Sequence, residues 1–279
     1  MPVLEGEPTE LMVRCPLCGA ADLAPLIRVK EWEIVECRRC LLGMLASPPD
    51  EAELSRLYSE QYFADHAIGY TQVEEARHRG VRGQHKRAEM VKRWKRGGRL
   101  LDVGCASGYF LAAARACGFE AEGVELSTWA AEEARKHFGV RVTIGESDIL
   151  GREPRFDAIT MWHSLEHTRD PLATVRAARA LLRPGGVLAI ELPNHRSLDA
   201  EKYGEAWTGW SVPYHLWHFS PQSLSVLLDR GGFELKAMKT SPSQYVRERL
   251  KRVPVLGLLR KPIAACFTGR DVTAVAVRG

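Results

Sequence analysis

Long apolar runs are missing from this sequence. No stretch reaches the roughly 18 to 20 uninterrupted apolar residues that a membrane-spanning helix needs. The first ten residues, MPVLEGEPTE, are acidic and carry no apolar signal-peptide core, so a cytoplasmic location is expected. A strong charge of one sign is lacking too. The chain has 39 Lys and Arg against 35 Asp and Glu, a net charge of +4 over 279 residues, which by itself does not imply nucleic acid. Basic residues are dense in Arg77–Arg99 and Arg247–Lys261, which reads most simply as two solvated helix faces. Internal repeats and low-complexity segments are absent, which argues against a solenoid or a disordered tail. What remains, 45% apolar and 27% charged residues, is the make-up of an ordinary globular protein. The length suits one α/β domain plus a small appended unit.

Cysteine is present in an odd number, seven, and four of the seven stand in the first forty residues. Cys15-Pro-Leu-Cys18 and Cys37-Arg-Arg-Cys40 are separated by eighteen residues. Two Cys-x-x-Cys knuckles at this spacing supply four thiolates to one tetrahedral ion, which is the pattern of a zinc ribbon. Four thiolates leave no open position for water, so such a zinc is structural. Gly19 permits the tight turn after the first knuckle. Cys105, Cys117 and Cys266 read as small buried hydrophobes. Residues 1–46 are thus expected to form a zinc ribbon and 47–98 a helical linker or lid. The latter would hold a short helix over DEAELSRLYSEQYF and a longer charged one over 71–95.

From Arg99 onward strands alternate with helices. RLLDVG, FEAEGVEL, VRVTIG, FDAITMWH and GVLAIELP read as strands, and FELKAMKT and DVTAVAVRG as two more. Between them, Ser127 caps a helix that Gly139 ends, Asp170-Pro171 opens another, and Ser220-Pro221 a third. The turn Arg183-Pro-Gly-Gly186 precedes the fifth strand. This alternation specifies a doubly wound α/β sheet with its ligand site at the C-terminal ends of the strands. The domain would span 99–279, with insertions at 193–219 and 243–267.

The segment Leu101-Asp-Val-Gly-Cys-Ala-Ser-Gly108 lies at the first strand-to-helix turn. Its G-x-x-x-G spacing is not the G-x-G-x-x-G that seats a pyrophosphate, and no Gly-Lys-Ser/Thr follows, which excludes a phosphate loop. Gly104 lets the backbone turn tightly beside a ligand, and Gly108 keeps that approach open. Glu125 ends the second strand about 20 residues on, where an acid accepts both hydroxyls of a ribose. Asp102 lies beside the loop, ready for an amino group.

LLDVGCASGYF, GVELS, MWHSLEHTRDP and LLRPGGVLAIELP, in this order, resemble the class I S-adenosylmethionine-dependent methyltransferases, over about residues 85–240 and the final strand. The resemblance implies a Rossmann-like sheet of seven strands with the last antiparallel, and S-adenosylmethionine as cofactor. It places Asp102, Gly104, Cys105 and Gly108 around the methionine moiety, Glu125 on the ribose and Leu126 against the adenine. Glu146 and Ser147 would read the adenine edge, and Trp162 and His163 would line the cofactor.

Methyl transfer from a sulfonium needs an oriented nucleophile and, for a hydroxyl, a base. His163 and His167 follow the fourth strand, where such enzymes place their active site, with Glu166 between them to orient an imidazole. His215 and His218 lie in PYHLWHFS, which resembles a segment of bacterial small-molecule enzymes, including a ubiquinone-pathway-like branch. His163, His167 and His215 are the candidate catalytic residues. Trp207, Trp210, Tyr214 and Trp217 crowd the same segment, either as core or as an aromatic platform for an acceptor. The expected acceptor is a small molecule, sugar or glycan, methylated at oxygen or at carbon. RNA is the alternative, with the ribbon as reader. Against it, the Asn/Asp-Pro-Pro-Tyr/Phe signature of amino-methylating enzymes is replaced by Trp162-His163-Ser164. The basic, apolar stretch 243–267 is a candidate for peripheral membrane contact.

Overall fold

The computed structural model describes residues 14–50, 53, 74–145, 155–251 and 259–279. Most of the helix expected over DEAELSRLYSEQYF, and Glu146 and Ser147, fall outside these residues.

Three short strands form the N-terminal sheet: β1 (Leu23–Val29), β2 (Trp32–Cys37) and β3 (Gly43–Leu45). Lys30 takes φ +54° in the two-residue β1–β2 connection, the left-handed conformation such hairpin turns demand. A fourth strand, β9 (Trp217–His218), comes from far along the chain and pairs antiparallel with β3. Gly43 stands opposite His218 in that pairing, and a Cβ there would approach the His218 Cβ to 2.9 Å. Only glycine admits this docking without a shift.

The larger sheet holds β4 (Gly98–Val103), β5 (Phe119–Glu125), β6 (Arg141–Ile144), β7 (Phe156–Trp162), β8 (Leu182–Pro193), β10 (Phe233–Pro242) and β11 (Thr268–Arg278). Its order is β10-β11-β8-β7-β4-β5-β6. β4 to β8 run parallel to one another, while β11 runs antiparallel to both β8 and β10. The last strand is therefore inserted against the grain of the other six. Leu182 pairs with Phe156 and Val187 with Ala158. Arg183–Gly186, read in the sequence as a turn, accordingly bulges out of the ladder within β8.

Helices cover both faces, as the alternation of buried residues along the strands requires. On one face Leu100, Ala158 and Val187 meet α1 (Glu74–Trp94) and α2 (Tyr109–Ala116) through Val91, Phe110 and Ala113. On the other, Leu101, Ile159 and Leu188 meet α4 (Pro171–Leu181) and α6 (Pro221–Arg230) through Val175, Leu181 and Leu224. α3 (Thr128–Phe138) packs beside β6. The expected caps are in place: Ser127 accepts from Ala130 N, Asp170 from Ala173 N, and Ser220 with Ser223 forms a reciprocal capping box.

The second core also takes in the N-terminal sheet. Ile34, Leu42 and Met44 belong to the same apolar cluster as Trp207, Trp210, Trp217 and Phe219. All three tryptophans are buried, so they serve as core and not as an open aromatic platform. Buried Glu36 of β2 accepts from Arg196 Nε at 2.8 Å and lies 2.9 Å from His195 Nε2. Arg230 donates to the Leu17 carbonyl, and Ser220 and Gln222 donate to the carbonyls of Leu41 and Arg39. Two cysteines depart from the sequence reading. Cys266, at the end of short α8 (Arg260–Ala265), is exposed, because a helix of that length buries only one side. Cys117 is buried but has polar partners. α5 (Leu198–Tyr203) follows β8, and α7 (Gln244–Lys251) runs between β10 and α8. Among the described residues no helix is long and apolar enough to cross a membrane.

Candidate functional site

β4 delivers its chain into the loop 104–108, where Gly104, Ala106 and Gly108 take φ values of +75°, +45° and +80°. A Cβ on Gly104 would meet the Ser164 Cβ at 2.5 Å, and one on Gly108 the Ala134 Cβ at 2.8 Å. Gly104 therefore brings the loop against the end of β7. Gly108 has a reason the sequence did not show: it lets α2 start close against α3. Gly104→Ala should cost about 1 to 3 kcal/mol, read as a lower urea midpoint. An unchanged midpoint would mean the loop is not held as described.

The Glu125 carboxylate gathers this loop. It accepts from Ala106 N at 2.8 Å, Leu126 N at 2.9 Å and Ser127 N at 3.0 Å. Burial pushes its pKa up while those three N–H groups pull it down, and the net shift is upward. Three of about four lone-pair positions are thus used, leaving the carboxylate room for one further donor. Burial likewise raises Asp102 to about 7, against a hydrogen bond from Thr160 Oγ1 at 2.6 Å. Leu126 is exposed.

A cleft of about 170 Å³ opens over the loop, bounded by Asp102, Gly104, Cys105, Ser107 and Trp162, and by Gln84 and Arg87 of α1. The Trp162 indole N–H is buried without a partner, and the Arg87 guanidinium lies 5.2 Å from the Trp162 ring. A carboxylate, a guanidinium and an unpaired N–H around one cleft suit a zwitterionic ligand with polar edges, such as an amino acid joined to a nucleoside. Sequence reasoning missed Gln84 and Arg87. α1 is charged all along its length, and nothing in its local pattern marks the two that face inward.

His163 follows Trp162 but does not line that cleft. It takes φ +53°, a left-handed conformation uncommon outside glycine. Its Nδ1 lies 3.5 Å from Glu166 Oε1, its Nε2 3.5 Å from Glu191 Oε1 and 4.0 Å from Asp271 Oδ1. Burial opposes a charge on the ring, but the carboxylates win and lift His163 to about 9. Glu191 also takes Arg87 and Thr273. Glu166 is buried, which would raise its pKa, yet His163, His167 and His215 hold it at about 2.

The structure brings His215 to this cluster from the later segment. Its ring stands edge-on to His167 with centroids 4.6 Å apart, and its Nε2 is 4.0 Å from Glu166 Oε1. His167 Nδ1 faces the Tyr214 carbonyl at 3.0 Å and His215 Nδ1 the Gly209 carbonyl at 2.9 Å. A carbonyl only accepts, so Nδ1 carries the proton in both rings and Nε2 is the basic atom of the neutral forms. Burial lowers the pKa of both, His215 to about 3. At neutral pH the cluster thus contains one imidazolium, His163, and two neutral imidazoles. His218 is also buried, its pKa driven down, and it packs against Trp210. Glu191 and Asp271 had no signal in the sequence, being single acids on strands whose partners lie far away in the chain.

At the N-terminal sheet the thiols of Cys15, Cys18, Cys37 and Cys40 lie within 4.8 Å of one another. Cys15 and Cys40 sulfurs are 3.6 Å apart and those of Cys18 and Cys37 3.5 Å apart. Tetrahedral zinc with four thiolates requires sulfur–sulfur edges of about 3.8 Å, so the cluster fits such an ion with a small expansion.

A family model described as a methyltransferase domain matches residues 74–237, more than half of the chain. Among curated proteins, the ubiquinone biosynthesis O-methyltransferase of Xanthomonas campestris pv. campestris (strain B100) is 37% identical over 106 residues, 35% of this chain and 44% of the relative. That of Actinobacillus pleuropneumoniae serotype 5b (strain L20) is 35% identical over 115 residues, 37% of this chain and 49% of the relative. The chain thus spans about half the length of the curated relatives it matches. A solved S-adenosylmethionine-dependent methyltransferase of Archaeoglobus fulgidus superposes with a TM-score of 0.55 at 18% identity, covering 79% of this chain and all of that one. One from Thermotoga maritima also gives 0.55, at 22% identity, with 78% and 98% covered. The structural likenesses show the fold, and the family match shows the membership: this chain belongs to the methyltransferase-domain family, the class I S-adenosylmethionine-dependent methyltransferases.

Proposed function

We propose that the chain methylates a hydroxyl oxygen of a small molecule, sugar or glycan, with a structural zinc in its four-cysteine cluster. The observation that carries the reading is the convergence of His163, His167 and His215 on buried Glu166, at the C-terminal end of β7 and one residue from the cleft-lining Trp162. The acceptor oxygen is the finer part of this reading, and the curated relatives named as O-methyltransferases support it.

In this reading Arg87 and Gln84 receive the cofactor's carboxylate and Asp102 its amino group. Gly104, Cys105 and Gly108 shape the loop beneath it. Glu125 uses its remaining lone pair on a ribose hydroxyl, Leu126 flanks the adenine, and Glu146 and Ser147 complete the adenine end. Bound S-adenosylmethionine supplies an electrophilic methyl group whose leaving thioether needs no proton. The chain has to orient the acceptor and take its proton. Nε2 of His167 or His215 is the atom offered for that, because Nδ1 of each ring is engaged by a carbonyl; the smaller fall in pKa leaves His167 the stronger base of the two. His163, held as the imidazolium, is not the resting base in this reading. Its imidazolium stabilises the negative charge that grows on the acceptor oxygen as the proton leaves.

Asp102→Ala and Glu125→Ala should each weaken S-adenosylmethionine binding about 10- to 100-fold, the worth of a hydrogen bond to a charged group. Calorimetric titration reads this directly, and unchanged affinity in both variants would remove the assignment. The acceptor is tested with methyl-labelled S-adenosylmethionine and an extract of the source cells, separated into RNA, lipid and polar fractions. Label in the polar or lipid fraction supports the proposal. Label in RNA would overturn it and make the ribbon and α1 an RNA-reading surface.

A further inference from the structure

A second group of metal-competent side chains lies away from the histidine cluster, between α1 and α2. His85 and Glu89 stand one turn apart on α1, so they share a face. Cys117 stands at the C-terminal cap of α2, nearly fully buried at 3% exposure. Its sulfur lies 3.3 Å from Glu89 Oε1 and 3.7 Å from His85 Nδ1, and His85 Nε2 is 3.8 Å from Glu89 Oε1. The three residues offer one donor atom each, all within 4.8 Å of one another.

A tetrahedral zinc bound by one sulfur, one nitrogen and one carboxylate oxygen sets the ligand-to-ligand edges at about 3.3 to 3.6 Å. The sulfur–oxygen and sulfur–Nδ1 spacings, 3.3 and 3.7 Å, are already close to those edges, and the third edge closes by a small turn of the half-exposed His85 ring. The packing also explains why the group is assembled: Ala88 and Val91 seat α1 on α2 through Ala113 and Ala114, and this holds the Cys117 cap against the His85–Glu89 face.

We propose that His85, Glu89 and Cys117 form a second metal site of this protein, for zinc or a similar borderline divalent cation. One thiolate, one imidazole and one carboxylate favour that class over magnesium or calcium, which take oxygen ligands. As the sulfur–metal bond forms, the Cys117 proton passes to solvent. Three protein ligands leave a fourth position for water, unlike the closed four-cysteine cluster. The site lies on the half-exposed edge of α1, where His85 and Glu89 side chains are 51% and 45% exposed, so a cation enters without opening the fold. Its occupancy bridges α1 to α2. Gln84 and Arg87 border the methyltransferase cleft from α1, and the bridge fixes the helix that carries them.

The test adds cobalt(II) to the full chain with its four-cysteine cluster loaded with zinc. The expected result is one further equivalent of cobalt bound, with a thiolate-to-cobalt charge-transfer band. The band should be lost in Cys117→Ala and kept in Cys266→Ala, the exposed-thiol control. His85→Gln changes a surface residue, so it leaves folding out of question, and it should weaken cobalt binding at least tenfold. No additional band, a band of equal strength in Cys117→Ala, or unchanged affinity in His85→Gln would each overturn the proposal. Because the readout is metal occupancy, it stands or falls separately from methyl transfer.

Discussion

Glu166→Gln should lower kcat by about 100- to 10,000-fold, the usual range for disabling a positioned acid–base group, while S-adenosylmethionine affinity stays unchanged. The side chain is about 1% exposed and stands 3.5 Å from the His163 ring. Burial would raise the pKa of Glu166, and the three histidines outweigh it to hold the acid at about 2. Its negative charge in turn helps keep His163 protonated up to about 9. Removing that charge leaves His163 with Glu191 and the more distant Asp271. The imidazolium becomes easier to deprotonate, and the electrostatic support for the acceptor oxygen weakens.

The pH dependence follows from the same shifts. His215 is driven to about 3 and His167 below its ordinary 6.5, so the acid limb of activity that depends on their neutral forms should lie below pH 6.5. It should fall on the alkaline side as His163 loses its proton near 9, and Glu166→Gln should bring that alkaline limb to lower pH. Stability carries a matching signature. The folded-state pKa of His163 lies above its unfolded value of 6.5, so its contribution is complete below pH 6.5 and is lost as pH rises through 9. His215 runs the other way: its folded pKa is depressed, so protonating it costs stability as pH falls from 6.5 toward 3. Equal kcat and identical pH profiles for wild type and variant would remove histidine assistance from the mechanism.

The second large effect belongs to the four-cysteine cluster. Cys37→Ser, or stripping zinc with a chelator, should unfold the methyltransferase fold together with the ribbon, in one thermal transition. Structural zinc supplies on the order of 10 kcal/mol in small zinc-finger peptides, comparable with the whole stability of a typical domain. The ribbon here does not stand apart. β9 closes its sheet, Glu36 is clamped by Arg196 and His195, and Ile34, Leu42 and Met44 share a core with Trp217 and Phe219. β9 also begins two residues after His215, so loosening the ribbon displaces that histidine. Two separate transitions, with methyl transfer surviving the first, would show instead that the ribbon folds alone.

What could be read from the sequence is what short-range spacing controls. The two Cys-x-x-Cys knuckles, the Gly104 turn and the acid at Glu125 are each defined within a few residues. So are the helix starts at Ser127, Asp170 and Ser220, where a side chain caps its own backbone. The strand–helix alternation is likewise local, and it was enough for the sheet and its reversed last strand once the family resemblance was recognised. The tertiary structure decided what depends on contacts between distant segments. It brought His215 to Glu166, turned Arg87 and Gln84 of a uniformly charged helix into the cleft, and set Glu191 and Asp271 beside His163. It fused the ribbon to the larger domain through a two-residue strand. It also gave Gly108 a packing role against Ala134 and placed Cys117 beside His85 and Glu89. A residue's neighbours along the chain state its local conformation; whether a histidine is charged or a tryptophan is core depends on burial and on partners that only the folded chain supplies.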